Sequence, residues 1–209
     1  MMEIDDKFKI CYLVIVVIYV GIRMYFSILV NKSKRKIFTI DKDAVTNEGI
    51  FRVILRVILF TTRNVAILLY LTDYSKVFFI KIPVVIRLVG LFLGIVSVIV
   101  LVHVQACLGR FWSTSLTLTK DHRIIQNGLY KYIRHPMYLV LICFMIFHIL
   151  VPSNLLIMLP SAIAIINIYT RIRREERMLI KHFGNDYIEY MKTTNKIIPN
   201  LLKLRGKKK

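Results

Sequence analysis

The chain has 209 residues and carries 31 Lys and Arg against 12 Asp and Glu, which gives a net charge of +19. Its length fits one domain, since a domain has roughly 150 residues. Hydrophobic residues make up 56% of the chain, more than the roughly 45–50% of soluble domains. This composition excludes a disordered chain and argues against a soluble nucleic-acid binder. The positive charge instead fits the anionic headgroups of a lipid bilayer.

Three apolar runs are long enough to cross a hydrocarbon core, which takes about 20 helical residues. They are Ile10 to Val30, Val53 to Leu71 and Leu88 to Leu108. A fourth uncharged region, Met137 to Thr170, is interrupted at Pro152-Ser153-Asn154, which predicts a hairpin of two helices of about 15 to 17 residues. Because each helix spans only about 22–26 Å, we expect the hairpin to extend beyond the membrane at its polar end. The sequence predicts an all-α integral membrane protein with five transmembrane helices.

The distribution of charge and the motifs divide this single domain into three parts. Residues 1–107 form a three-span part, residues 108–199 a cofactor-binding core, and residues 200–209 a basic tail. Twelve Lys and Arg follow from Arg171 onward, so the positive-inside rule predicts an outside N-terminus and a cytoplasmic C-terminus. The membrane is then the cell membrane of a prokaryote or the endoplasmic reticulum of a eukaryote. Gly184 precedes an amphipathic segment that ends by Pro199, which predicts a cytoplasmic helix able to cover the site.

The densest group of special residues runs from Gly128 to Tyr138. Pro136 is suited to the first turn of a helix, where its missing N–H costs nothing. Arg134 and His135 then lie at a helix N-terminus, whose free N–H groups favour an anionic ligand group. By themselves, these residues are equally compatible with anchoring at the membrane interface.

A second polar group follows the hairpin. Arg171 and Glu175 stand four residues apart and share one helical face, while Glu176 points about 100° further round. Arg63 lies inside the second apolar run, where a charge is costly and indicates a functional site by default. The three cysteines are widely spaced in apolar runs and predict neither a disulfide framework nor a metal site.

These motifs resemble the isoprenylcysteine carboxyl methyltransferase family and its relatives, the phospholipid N-methyltransferases. The five-span layout is similar to that of the short archaeal members. The resemblance covers about Leu108 to Pro199 and rests on residues that recur in order: Gly128, Tyr130, Arg134, His135, Pro136, Tyr138, Arg171, Glu175, Glu176, Phe183, Gly184, Tyr187 and Tyr190.

The resemblance implies S-adenosylmethionine as the cofactor, bound at the cytoplasmic face beside a lipid-accessible tunnel. The residues it assigns to the cofactor are Tyr130, Arg134, His135, Pro136, Tyr138, Glu175 and Glu176, with His122 nearby. The sequence has no G-x-G-x-x-G motif, which independently excludes a Rossmann-type cofactor domain.

The resemblance further implies a lipophilic methyl acceptor, for which the carboxylate of a prenylcysteine is the first expectation. Such a carboxylate is ionised at neutral pH, since its pKa is ~3.3–3.7, so it needs a cation rather than a general base. Arg171 is the first choice for that cation, with Glu176 orienting it, and Arg63 and Arg110 are alternatives. In the alternative reaction, N-methylation of a phosphatidylethanolamine-type lipid, Glu175 or Glu176 would act as the base. A nicotinamide-dependent membrane reductase and a non-catalytic membrane anchor are weaker alternatives.

Overall fold

The computed structural model describes residues 2–34, 49–109 and 123–199. The described part is helical, with two isolated β-bridges and no strand. Its α-helices are α1 (Met2–Lys34), α2 (Ile50–Tyr70), α3 (Val84–Leu108), α4 (Pro136–Leu150), α5 (Leu155–Phe183) and α6 (Asn185–Thr193). Two 3-10 turns, Asp73–Phe78 and Gly128–Lys131, connect them.

Four of these helices, α1, α2, α3 and α5, are long and apolar enough to cross a membrane, and α4 is a shorter apolar helix. The predicted five-helix membrane fold is therefore confirmed. The hairpin was predicted as two short helices, and the predicted length of the second helix was wrong. Helix α4 has 15 residues, but α5 has 29 and continues past Thr170 to Phe183. The expected extension of the hairpin at its polar end is this continuation.

Helices α3 and α4 approach closely along a Gly-x-x-x-Gly sequence. A Cβ atom added at Gly94 would stand 2.5 Å from Cδ2 of Phe147, and one added at Gly90 would stand 2.8 Å from Cβ of Leu150. Small residues let transmembrane helices approach until their backbones nearly touch, and dispersion then replaces the missing hydrophobic effect. The hairpin is thus packed tightly against α3.

At one end of the bundle, an ion pair and hydrogen bonds hold the helix ends together. Arg87 forms an ion pair with Asp5 and donates from Nε to the carbonyl of Val151 at 3.0 Å. Asn154 caps α5 by accepting from the N–H of Leu156 at 3.0 Å, and its Nδ2 donates to the carbonyl of Ser75 at 2.9 Å. These contacts bring the starts of α1, α3 and α5 together, so the Arg134 segment lies at the opposite end of the bundle.

Helix α1 contacts the hairpin through aromatic rings. Tyr12 stacks on Phe147 with ring centroids 5.1 Å apart, and Tyr19 stacks on Phe144 at 3.5 Å. The hydroxyl of Tyr12 lies 2.7 Å from Nδ1 of His148. Burial in an apolar bundle removes the hydrogen bonds that both groups would make with water. The hydrogen bond between them compensates for that loss.

Candidate active site

The predicted motif around Pro136 forms the start of α4 as expected. Pro136 occupies the first turn, and His135 precedes it at the N-cap position without a capping hydrogen bond from its side chain. His135 is 4% exposed and Tyr130 is 8% exposed. Tyr130 and His135 are therefore buried inside the protein, which does not fit the alternative in which these two side chains only anchor the interface.

Glu176 joins two of the predicted cofactor residues. Its Oε1 accepts from Nε of Arg134 at 3.1 Å and lies 3.4 Å from Nε2 of His135, and its Oε2 lies 2.8 Å from Nζ of Lys196. The side chains of Arg134 and Glu176 are each 8% exposed. A buried carboxylate between an arginine and a lysine stays ionised and fixes their positions. The predicted orientation of Arg171 by Glu176 stays a prediction.

The segment after α6 runs across the Arg134 motif. The N–H groups of Arg134 and His135 donate to the carbonyls of Asn195 and Lys196 at 2.8 and 3.0 Å. Nη1 of Arg134 donates to the carbonyls of Met191 and Thr194 at the end of α6. We call residues 194–196 the strap. Arg134 therefore fixes both the strap and Glu176, so its removal would loosen the fold as well as the candidate site.

Helix α6 begins after Gly184, whose φ of 56° breaks the path of α5. It brings two tyrosines back to the motif. The hydroxyl of Tyr190 donates to the carbonyl of Tyr130 at 2.5 Å. Burial raises the pKa of Tyr190 to about 12, so this hydroxyl remains a donor at neutral pH. The predicted C-terminal helix over the site is confirmed as an element of the fold.

Tyr187 was part of the motif but was not predicted as a site residue. It is 2% exposed, and its hydroxyl has no hydrogen-bond partner among the described residues. Burial, followed by the charges of Glu176 and Glu175, raises the pKa of Tyr187. The hydroxyl is therefore a protonated donor at neutral pH. Sequence spacing could not show this, because α6 must first fold back onto α5.

Glu175 and Arg171 meet Tyr138 from the same helix. The hydroxyl of Tyr138 donates to Oε2 of Glu175, and Cζ of Arg171 lies 6.0 Å from the centre of the Tyr138 ring. The four-residue spacing on α5 places the two charges one turn apart. Tyr138 consequently has an acidic neighbour at its hydroxyl and a cationic neighbour at its ring.

Arg63, predicted as an alternative substrate residue, points into the bundle. Its Nη1 donates to Sδ of Met145 at 3.1 Å, and its Cζ lies 5.7 Å from the centre of the Phe60 ring. Its Nε is buried and has no hydrogen-bond partner in the part of the chain that the structure describes. Two other predicted residues, Arg110 and His122, lie outside the described residues.

Comparisons with known proteins agree with the resemblance drawn from the motifs. The model of the isoprenylcysteine carboxyl methyltransferase (ICMT) family matches residues 88–181. The protein-S-isoprenylcysteine O-methyltransferase of Schizosaccharomyces pombe is 30% identical over 81 residues, which cover 38% of this chain and 34% of that protein. The match thus spans about a third of the length of this relative. These two findings confirm the resemblance over the hairpin and its flanks.

The fold has a counterpart among solved structures. The structure of the eukaryotic intramembrane Ras methyltransferase ICMT, determined without a monobody, matches with a TM-score of 0.53 and 17% sequence identity. The match covers 92% of this chain and 68% of the other. It extends beyond the family match to the N-terminal helices, so the whole described bundle has this fold.

Proposed function

We propose that this chain is an integral membrane methyltransferase that uses S-adenosylmethionine to esterify the carboxylate of a prenylcysteine or a similarly lipophilic acceptor. The family match supports the reaction class, and the helices of the bundle support a lipophilic acceptor. The strap, the Arg134 motif and the end of α5 lie on the cytoplasmic side in this proposal, and the N-terminus lies outside.

The observation that carries the proposal is that two side chains of opposite charge, Glu175 and Arg171, lie on either side of Tyr138. Its hydroxyl donates to Glu175, while Arg171 lies against its ring. A cationic cofactor group suits the acidic side, and an anionic acceptor suits the basic side. Two reactants of opposite charge can therefore be held next to each other, and such alignment can lower the barrier by ~7–11 kcal/mol.

The residues at the acidic side fit S-adenosylmethionine. The Tyr187 hydroxyl is a buried donor with no partner among the described residues, and the Glu175 carboxylate and the tyrosine rings attract an ammonium or a sulfonium. In this proposal the cofactor is held by Tyr130, Arg134, His135, Pro136, Tyr138, Glu175 and Glu176, with His122 nearby. The cofactor supplies a methyl group on a positively charged sulfur, which leaves as a neutral thioether.

The chain itself mainly positions the acceptor. Arg171 holds the carboxylate through its planar guanidinium, which matches the two oxygens of a carboxylate. The acceptor is already ionised at neutral pH, so none of the carboxylates has to take a proton from it. Arg63 and Arg110 are the alternatives to Arg171 for this role. Glu176 acts indirectly, because it fixes Arg134 and His135 at the start of α4.

Transfer of a radiolabelled methyl group to N-acetyl-S-farnesylcysteine tests the function. We expect a product that releases volatile methanol in base, as an ester does. Arg171→Lys keeps the charge but loses the planar fork, so it should lower kcat/KM for the acceptor by at least ten-fold, about 1.4 kcal/mol. Affinity for S-adenosylmethionine should stay unchanged. Arg173→Lys is the matched control, because Arg173 is exposed on the same helix and donates to the Tyr169 hydroxyl at 3.1 Å.

A labelled product that survives base would contradict ester formation and would favour the amine of a phosphatidylethanolamine-type lipid. Binding of NADPH in place of S-adenosylmethionine would favour a membrane reductase. Binding of neither cofactor would favour a non-catalytic anchor.

Cysteine labelling from outside the membrane tests the proposed orientation. Val77, in the turn after α2, is 84% exposed, and Lys131, in the turn before α4, is also exposed. The two turns lie at opposite ends of the bundle. We expect an impermeant reagent to label Val77→Cys and not Lys131→Cys. The reverse pattern would contradict the orientation.

A further inference from the structure

The 3-10 turn between α2 and α3 carries two apolar side chains that no other part of the described chain covers. Val77 is 84% exposed and Tyr74 is 82% exposed, the highest fractions among the large hydrophobic side chains that the structure describes. A 3-10 helix has three residues per turn, so side chains three residues apart lie on one edge. We call Tyr74 and Val77 the apolar edge of this turn.

The turn is fixed to the hairpin, so the apolar edge is held outward. Nδ2 of Asn154 donates to the carbonyl of Ser75 at 2.9 Å, and the N–H of Ile80 donates to the carbonyl of Ser153 at 2.9 Å. The side chains of Ser75 and Asn154 are buried. Because these bonds hold the turn on both sides of the edge, Tyr74 and Val77 cannot fold back onto the bundle.

The depth of the turn along the bundle follows from its contact with the hairpin and from the length of α3. A Cβ atom added at Gly90 would stand 2.9 Å from Cγ2 of Val151, so these two residues lie at one level. Helix α3 begins six residues before Gly90, at Val84, and thus extends about 9 Å past this level. In this extension it exposes the apolar side chains of Val84, Val85, Ile86, Leu88 and Val89. The turn, bonded to residues 153 and 154, therefore lies at a depth where a spanning helix is still apolar on its surface.

A lipid leaflet suits the apolar edge better than water does. Exposure of fixed apolar side chains to water is unfavourable, whereas a tyrosine at the boundary of a membrane places its ring among acyl chains and its hydroxyl near the headgroups. Lys81 follows the turn and is exposed, and a lysine at this position can reach the headgroup phosphates. The edge also continues the apolar surface that the spanning helices present to lipid.

We propose that the apolar edge inserts into the lipid leaflet, at the boundary between headgroups and acyl chains, and anchors this end of the bundle at that depth. The turn connects α2 to α3 and is bonded to the hairpin, so one anchor sets the depth of four helices. A side chain at this level stays within reach of water, as the labelling of Val77→Cys requires. The proposal is independent of the methyltransferase function, because it involves only the end of the bundle remote from the candidate site.

Fluorescence quenching by lipid tests the anchor. The full-length Val77→Trp protein is placed in phosphatidylcholine vesicles whose lipids carry bromine atoms either near the glycerol or near the end of one acyl chain. The chain has a single tryptophan, Trp112, so the wild-type protein supplies the background. We expect the shallow bromine atoms to quench Val77→Trp about twice as strongly as the deep ones. Tyr74→Trp, which keeps an aromatic ring, should give the same order.

Two further positions calibrate the depth. Phe92 is 64% exposed on α3, eight residues after its start, and in Phe92→Trp the deep bromine atoms should quench more strongly than the shallow ones. Glu189 is exposed on α6, beyond the apolar part of α5, and Glu189→Trp should not be quenched.

The same measurements can overturn the proposal. Quenching of Val77→Trp and Tyr74→Trp no stronger than that of Glu189→Trp would show that the edge faces water. Stronger quenching by the deep bromine atoms would contradict the proposed depth. Blue-shifted emission without quenching by either lipid would show that protein, such as a second copy of the chain, covers the edge instead of lipid.

Discussion

Two arginines inside the bundle have very different surroundings. Arg87 is 3% exposed, forms an ion pair with Asp5, donates to the carbonyl of Val151 and lies 4.0 Å from the centre of the Phe8 ring. The partners of Arg63 are the sulfur of Met145 and the Phe60 ring, and its Nε is without a hydrogen-bond partner in the described chain. The first arginine has a carboxylate and a carbonyl, and the second has neither.

This difference separates a structural role from a binding role. A buried charge that is paired with a carboxylate holds helices together, although Nη2 of Arg87 has no hydrogen-bond partner among the described residues. Loss of such a charge leaves the carboxylate uncompensated. A buried charge whose acceptors are weak adds little to the folded state and is available for an anion from outside. The same distinction applies to neutral groups, because the Tyr12 hydroxyl has a partner and the Tyr187 hydroxyl has none among the described residues.

Arg87→Gln is expected to have the largest effect, and that effect is on stability. It leaves Asp5 without its partner, and we expect the free energy of unfolding to fall by about 3 kcal/mol, at the lower end for a buried pair because Asp5 is partly exposed. Chemical denaturation in detergent measures this loss. An unchanged unfolding transition would contradict the structural role of Arg87.

Arg63→Gln should show the opposite pattern. We expect affinity for N-acetyl-S-farnesylcysteine to fall by about 1.5–3 kcal/mol, the range for a hydrogen bond to a charged group. The free energy of unfolding should stay unchanged or rise, because a poorly paired charge is removed. Titration of the acid and denaturation of the same preparation measure both. Arg52→Gln, near the start of the same helix, is the control. Equal losses of stability in Arg63→Gln and Arg87→Gln would remove the distinction.

Tyr12→Phe extends the comparison to neutral groups. It leaves buried His148 without the hydroxyl 2.7 Å away, so we expect a loss of about 1–3 kcal/mol in the free energy of unfolding. Denaturation measures it, and acceptor binding per folded molecule should not change. If Tyr12→Phe is as stable as the wild type, the hydrogen bond between α1 and α4 is not a structural contact.

Tyr187→Phe should have the smallest effect, and it should appear only in cofactor binding. The Tyr187 hydroxyl has no described partner to lose, so stability should be unchanged or slightly higher. Affinity for S-adenosylmethionine should fall by about 0.5–1.5 kcal/mol, the net contribution of one hydrogen bond. Calorimetry in detergent measures this change. A loss of stability without a change in cofactor affinity would place Tyr187 among the structural groups.

The sequence predicted those helices whose presence follows from the length of an apolar run alone. Pro136 opens α4 and the turn at residues 152–154 divides the hairpin, because proline and turn residues act locally. The length of α5 could not be read in the same way. Its polar end, from Arg171 to Phe183, leaves the apolar region and packs against α6 and the strap. Gly184, with its φ of 56°, marks where this helix ends. What the sequence did not show is that the helix continues without a break from the apolar region to that glycine, and contacts such as Glu176 with Lys196 hold its polar end in the folded chain.

The candidate site was predictable only for the residues that motif spacing brings together. Arg171 and Glu175 are one turn apart on α5, and the structure joins both to Tyr138 of α4. Tyr187 belongs to α6, and its spacing from Glu175 and Glu176 does not show that α6 folds back onto α5. The burial of its hydroxyl is visible only in the folded chain.

The close approach of Gly90 and Gly94 to the hairpin has a consequence for motion. A slide of α4 along α3 by one residue would push larger side chains against Phe147 and Leu150, where there is no space even for a methyl group. Packed interfaces of this kind resist continuous deformation. We therefore expect helices α3 and α4 to move as one rigid unit, so that a bulky molecule entering sideways from the lipid leaves their interface closed.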